Sequence, residues 1–472
     1  MVARFELRAD DIARLADAEA AALQAAGLRA GDSVGWLALN HPRALALLAA
    51  CRRLGLRWVP LNWRLAAPEL AALVRHAGLQ ALWHDEAMAP LAAAVRALVP
   101  LPQPRVPAAE GGHAAGDVML VYTSGTTGEP KGAVHTGAGM DANVAAAIAA
   151  QDLDASTRTL AVLPLFHVGG LAIQVLPTLA AGGVVQLHER FDPAAWFDDV
   201  EQWRPTTSLL VPAVMRALVT HPRWATADLS SLRFVNSGSQ IVPPALIEAF
   251  HARGVPVAQV YGSTETGPVS IVLGPDQALA HVGRVGWPAQ GVQVKLAADG
   301  EVLLKGANLL RTYHRGAPPA FDDEGWFHTG DLAEQGADGG FTIVGRSKEL
   351  IISGGENIHP AEIEEAVAAV PGVAECAVVG VADERWGEVP VLVVVPAADR
   401  APPDEAALRA TWEGRLARFK WPRRVVFAEA LPKTALGKVR REVLAASLGA
   451  EPGAAPGAAP GGAPQQAAPR TG

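Results

Sequence analysis

Eleven residues, Tyr122 to Gly132, read YTSGTTGEPKG and follow directly on the apolar run Val118, Met119, Leu120, Val121. An unbroken apolar run predicts a buried strand, and a loop leaving such a strand sits at a sheet edge, where α/β folds take their ligands. The stretch holds three glycines, four aliphatic hydroxyls and one lysine. Glycines let the backbone approach a ligand closely, while turned N–H groups, hydroxyls and an ammonium are what phosphate oxygens need. A solvated turn would account for SGTTG alone, but not for its strict order with the lysine. The Walker A loop is excluded, because counting from Gly125 puts Pro130 at its second glycine and Gly132 at its hydroxyl. A different phosphate loop is indicated.

A chain of 472 residues is too long for one core, so at least two domains are expected. Half the residues are hydrophobic and 19% charged, the balance of a globular protein. The net charge of -8 lacks the overall basic footprint of a nucleic-acid binder. Cys51 and Cys376 stand far apart in apolar settings and read as buried free thiols without a disulfide or metal framework. The start, MVARFELRAD, has no apolar h-region, so no secretory signal is expected and the chain is read as cytoplasmic. Leu160 to Val185 is the longest apolar stretch, but Pro164, His167, Gly169, Gly170 and Pro177 interrupt it. It reads as core with loops, and no transmembrane segment is expected.

Residues 10–85 alternate helical and extended patterns. A helix carrying Ile12, Leu15 and Leu23 leads to a strand at Ser33 to Leu39, then Pro42 opens a helix to about Leu54. Arg57 to Pro60 is extended, Pro68 opens another helix, and Ala81 to His84 is extended again. That βαβ rhythm implies a parallel sheet covered by helices. Residues 86–115, rich in Ala, Pro and Gly, read as a lead-in to the phosphate loop.

Gln259 to Gly267, QVYGSTETG, is the second chemical stretch: an apolar strand ends in an aromatic, a glycine, two hydroxyls and a carboxylate. Tyr261 can stack on a purine, Thr264 can donate to an α-phosphate, and Glu265 can hold Mg²⁺, which takes carboxylate oxygens beside substrate phosphates. A solvated turn with a capping glutamate is the competing reading for this motif alone. Further on come LPLFHVGG at 163–170, FVNSGSQ at 234–240, EGWFHTGDL at 324–332, FTIVGRSKELIISGG at 341–355, DERWGE at 383–388 and LPKTALGKVRR at 431–441.

In this order, from about Asp10 to Ser447, the motifs resemble those of the acyl-adenylate-forming superfamily, the AMP-forming acyl-CoA synthetases and their relatives. The resemblance implies ATP, Mg²⁺ and coenzyme A as cofactors and a small-molecule carboxylic acid as substrate. It implies that Thr123, Ser124, Gly125, Thr126, Thr127, Gly128 and Lys131 hold phosphates, and that Gly238, Ser239, Tyr261 and Gly262 flank the adenine. Asp331 would take the ribose hydroxyls, with Arg346 at the ribose-phosphate position. Thr264, Glu265 and Lys438 would be catalytic, with Glu265 also the metal ligand. His167, which alone reads as a satisfied core histidine, would line the acyl pocket. Lys348 would be the hinge and Gly354 and Gly355 the path of coenzyme A. Gly238-Ser239-Gln240 departs from the usual Gly-Ala-Pro turn, which leaves the acyl pocket's shape open.

The expected fold is therefore α/β: a large N-terminal domain of parallel-rich sheets with flanking helices over residues 1–347, and a small mobile C-terminal α/β domain over 348–450. The Ala/Gly/Pro tail 451–472 cannot offset its ordering entropy and is expected to be disordered. The expected reaction is ATP-dependent activation of a carboxylic acid to acyl-AMP, followed by transfer to coenzyme A. Two other readings compete, an adenylation enzyme that loads a carrier protein and a noncatalytic nucleotide-binding scaffold. A homodimer is among the expected assemblies, and no nucleic-acid partner is expected.

Overall fold

The βαβ rhythm of residues 10–85 is realised as three strands, Ser33–Leu37, Arg57–Pro60 and Leu79–His84, with Ser33–Leu37 parallel to both others. Helices Pro42–Leu54 and Ala67–Ala77 join them, and each carries a proline in its first turn, where no intrahelical donor is lost. The protein is described here from a computed structural model covering residues 2–106, 112–123, 130–316, 320–353, 356–383, 386–398, 400–413, 416–434 and 437–449. The phosphate-loop residues Ser124 to Glu129, the pair Gly354 and Gly355, and the tail from 450 onward lie outside the described residues.

The chain divides into two compact units, Met1–Leu350 with Ala435–Lys438, and Ile351–Thr434 with Val439–Gly472. In the large unit the three parallel strands belong to a six-stranded sheet. Its other members are the hairpin Asp117–Thr123 and Lys131–Thr136, and Thr312–Tyr313 on the outer edge. An eight-stranded sheet has a parallel centre, in which Val184–His188, Arg158–Ala161, Thr207–Leu210, Phe234–Gly238 and Val257–Tyr261 are neighbours in that order. Four of these strands are buried almost throughout, with polar Thr207, Ser208, Asn236 and Ser237 among the buried residues. An antiparallel four-stranded sheet spans Val292–Leu296 to Phe341–Arg346. Trp58, Trp196 and Phe197 are fully buried beneath these sheets; each contributes on the order of 2–3 kcal/mol of apolar burial.

The small unit packs helices Pro360–Ala368 and Glu405–Trp412 against a five-stranded sheet centred on the antiparallel pair Val373–Asp383 and Gly387–Pro396. Its helix Arg441–Gly449 adds Leu444 and Leu448 to a second cluster. The basic segment 431–441 is not simply solvated. Lys433 pairs with Glu375 at 2.5 Å, and Arg441 forks onto both oxygens of Glu364 at 2.5 and 2.9 Å.

Some local expectations need correction. Residues 86–115 contain a helix, Ala89–Leu98, whose Ala92 and Val95 face the core; the Ala-rich composition hid its period. Leu160 to Val185 holds helical backbone from Val168 to Ala180 with a π-turn at Leu171–Val175, and Pro177 sits in the first turn of the last segment, where it is tolerated. Leu15 is 38% exposed because the buried face of its helix runs through Ile12, Ala16, Glu19 and Leu23. Cys51 is buried as expected, whereas Cys376 is partly exposed. Among the described residues no helix is long and apolar enough to cross a membrane.

Candidate functional site

The strand Val257–Tyr261 ends at the edge of the eight-stranded sheet and delivers Tyr261 and the loop Gly262 to Glu265. The backbone here is crowded. A Cβ on Gly238 would lie 2.3 Å from the Val260 carbonyl oxygen, and one on Gly262 would lie 2.3 Å from that of Pro268, so both positions require glycine. Gly267 adds a left-handed φ of +64° and a Cβ position 2.1 Å from the Asn308 carbonyl oxygen. Gly267→Ala is therefore expected to cost about 3 kcal/mol, from left-handed strain plus backbone clash. A denaturant-unfolding midpoint equal to wild type would refute it.

Tyr261 is nearly buried, and its hydroxyl donates to Asp331 Oδ2 at 2.7 Å. The other oxygen of Asp331 accepts from Arg346 Nε at 2.7 Å. Asp331 and Arg346 are direct partners across the antiparallel pair Phe327–Gln335 and Phe341–Arg346, so the register itself brings carboxylate and guanidinium together. Burial first, then the Asp331 carboxylate, pushes the Tyr261 hydroxyl well above its ordinary range, which keeps it a donor. Thr329 Oγ1 accepts from the Asp331 amide at 3.0 Å and fixes the turn.

Glu265 is held from two sides. Its Oε2 accepts from Ser263 Oγ at 2.9 Å and its Oε1 from the Tyr313 hydroxyl at 3.3 Å. Its carbonyl accepts from the Leu310 amide at 2.7 Å. Among the described residues no group of three or more His, Cys, Asp and Glu could hold a metal. A lone carboxylate with a free lone pair on each oxygen fits Mg²⁺, which takes one or two carboxylates and completes its shell with phosphates and water.

Thr264 contacts the hairpin through its backbone, which hydrogen-bonds His135 of the strand Lys131–Thr136. His135 is buried, and its Nε2 has no hydrogen-bond partner among the described residues. Burial lowers its pKa to about 4. A depressed histidine stabilises the fold fully above its unfolded pKa near 6.5; as pH falls toward 4 the unfolded chain binds a proton that the folded chain refuses. Stability is expected to fall by about 3 kcal/mol over that window. Urea midpoints measured down to acidic pH would check this, with His135→Gln expected to flatten that part of the curve.

His167 lies half-buried beside Phe166, ring centroids 4.5 Å apart, and its Nε2 is sealed without a partner among the described residues. Burial, then the charge of Arg64, lowers its pKa to about 3, so it is neutral. A Cβ on Gly169, two residues on, would stand 3.9 Å from Ser239 Oγ. The LPLFHVGG segment thus faces the Gly238-Ser239 turn, where Ser239 holds a left-handed φ of +69°. Lys131 opens the second hairpin strand opposite Thr123. Lys348 is exposed in the short turn Ser347–Glu349, two residues before the division between units. Lys438 falls with the large unit, its ammonium 4.0 Å from Glu349 Oε1. The structure therefore joins Tyr261, Asp331 and Arg346 directly, ties Thr264 to the hairpin that carries Lys131, and sets Gly169 against Ser239. His135, which makes the tie to Thr264, and Tyr313, which with Ser263 holds Glu265, escaped the sequence reading.

Residues 9–314 match the family model of the AMP-binding enzymes, and residues 362–438 match that of the AMP-binding enzyme C-terminal domain. The chain belongs to the AMP-binding enzyme family. Among its relatives, an indoleacetate–CoA ligase of Aromatoleum aromaticum is 42% identical over 465 residues, covering 91% of each chain. A feruloyl-CoA synthase of an Amycolatopsis species is 41% identical over 449 residues, covering 91% of this chain and 90% of the other. The ATP-bound structure of MatB from Rhodopseudomonas palustris superposes with a TM-score of 0.84 at 30% identity, covering 93% of each chain. Family membership accounts for the order of the motifs and for the resemblance to acyl-adenylate-forming enzymes.

Proposed function

We propose that this protein is an AMP-forming carboxylate–CoA ligase. A carboxylate oxygen attacks the α-phosphorus of ATP, the bond to the bridging oxygen breaks, and pyrophosphate leaves. The thiol of coenzyme A then displaces AMP from the acyl carbon. The observation that carries this reading is the tie between two distant loops: Tyr261 to Glu265 reaches Asp331 and Arg346 on one side and the hairpin bearing Lys131 on the other. Membership of the family supports it, as do the names of the relatives.

In this reading Asp331 takes the ribose hydroxyls, and Arg346 holds its carboxylate in place. Thr123, Ser124, Gly125, Thr126, Thr127, Gly128 and Lys131 hold the phosphates through N–H groups, hydroxyls and the lysine ammonium, and Thr264 donates to the α-phosphate. Glu265 holds Mg²⁺, which when bound offsets negative charge on the phosphates. Lys438 bridges the attacking carboxylate and the α-phosphate. His167, neutral and flanked by Phe166, lines the acyl pocket with Ser239. Domains 1–347 and 348–450, with Lys348 as hinge and Gly354 and Gly355 along the path of the thiol, belong to the same proposal, as does a cytoplasmic location.

The named relatives point to aryl-substituted acids as the first substrates to try, with short and medium acyl chains beside them. The deciding experiment is acid-dependent ATP–pyrophosphate exchange over such a panel, followed by thioester formation with coenzyme A and with free carrier proteins. Exchange with at least one acid and thioester on coenzyme A are expected. No exchange with any acid would leave a noncatalytic scaffold, and transfer only to a carrier protein would make the chain a loading enzyme.

A further inference from the structure

The segment Leu310 to Arg315 is fastened to three parts of the large unit at once. The Leu310 amide donates to the Glu265 carbonyl at 2.7 Å, and the Arg311 amide to that of Val134 at 2.8 Å. Arg311 forks onto the buried Asp117 at 2.8 and 2.9 Å, at the start of the first hairpin strand. Thr312 and Tyr313 pair with Val134 and Ala133 of the second. His314 stands 3.3 Å from the buried Arg57 guanidinium and 3.0 Å from the His76 carbonyl oxygen. Between these anchors one side chain reaches back: the Tyr313 hydroxyl, 3.3 Å from Glu265 Oε1.

We infer that Tyr313 is a positioning residue, which aims the Glu265 carboxylate at the divalent cation accompanying the nucleotide phosphates. The inference rests on the reading of Glu265 given above. The backbone of Tyr313 is registered against Ala133, two residues from Lys131, so the phenol links the phosphate hairpin to the carboxylate. A phenol suits the task, since it bridges a long gap on a rigid ring and donates throughout the neutral range. Tyr313 takes one lone pair of Oε1 and Ser263 one of Oε2. Each oxygen keeps a second for the metal, with its rotation blocked. Groups that orient metal ligands in this way typically govern affinity for the metal.

The test compares Tyr313→Phe, Glu265→Gln and the double variant in the full chain. Two quantities are read: the Mg²⁺ concentration for half-maximal pyrophosphate exchange, and Mn²⁺ binding in the presence of ATP by electron paramagnetic resonance. Tyr313→Phe is expected to raise the Mg²⁺ requirement and weaken Mn²⁺ binding by about tenfold, with the KM for the acid unchanged. The double variant is expected to bind Mn²⁺ no more weakly than Glu265→Gln alone. An unaltered metal dependence in Tyr313→Phe, with Glu265→Gln impaired, overturns this inference and leaves the ligase reading standing. Unaltered metal dependence in Glu265→Gln overturns the role given to Glu265, and this inference with it.

Discussion

Replacing Lys438 by alanine is expected to lower acid-dependent pyrophosphate exchange by about 10²- to 10³-fold, the usual cost of removing one group aimed at charge that develops in a transition state. In the proposed site the ammonium bridges a carboxylate oxygen and the α-phosphate while charge moves between them, and no other group there is assigned that task. The second half-reaction has no such need, because the thiol meets an acyl carbon already activated by AMP. Thioester formation from added acyl-adenylate is therefore expected to survive largely intact. Equal loss of both half-reactions would contradict the assignment, since it would mean that Lys438 supports the fold or the binding of both substrates. Thermal unfolding of the variant separates the two outcomes.

The second large effect is expected at Asp331. Asp331→Ala removes the acceptor for Tyr261 and Arg346 together, and in the proposed site also removes both hydrogen bonds to the ribose. Charge-assisted hydrogen bonds contribute about 1.5 kcal/mol each at the lower end. Two of them make roughly a hundredfold rise in the KM for ATP, with the KM for the acid nearly constant. Asp331→Asn keeps the size and one acceptor oxygen and is expected to fall between. An alanine variant with wild-type affinity for ATP would show that Asp331 serves the Tyr261–Arg346 cluster alone.

Signals that act within a few residues were legible in the sequence. Pro42 and Pro68 marked helix starts, and the run Val118 to Val121 marked a buried strand, because each is decided by local backbone chemistry and burial. The helix Ala89–Leu98 does not show in the sequence, where alanine content masks a 3.6-residue period, and Leu15, apolar by type, is 38% exposed. In the site, Tyr261, Glu265, Asp331 and Arg346 stood out by type and order. His135 and Tyr313 did not, because their importance comes from contacts between separate elements, His135 with Thr264 and Tyr313 with Ala133 and Glu265, which no local pattern encodes. A histidine in a short buried strand and a tyrosine in a β-rich run look ordinary until the sheet order is known.

The edge position of Thr312–Tyr313 also matters while the chain is being made. Until residue 313 has emerged from the ribosome, Lys131–Thr136 is an outermost strand whose backbone groups have no cover on that side. A fragment ending before Leu310 would keep this ribbon open to self-association, so truncation there is expected to yield more aggregate than the 472-residue chain, as size-exclusion chromatography would read.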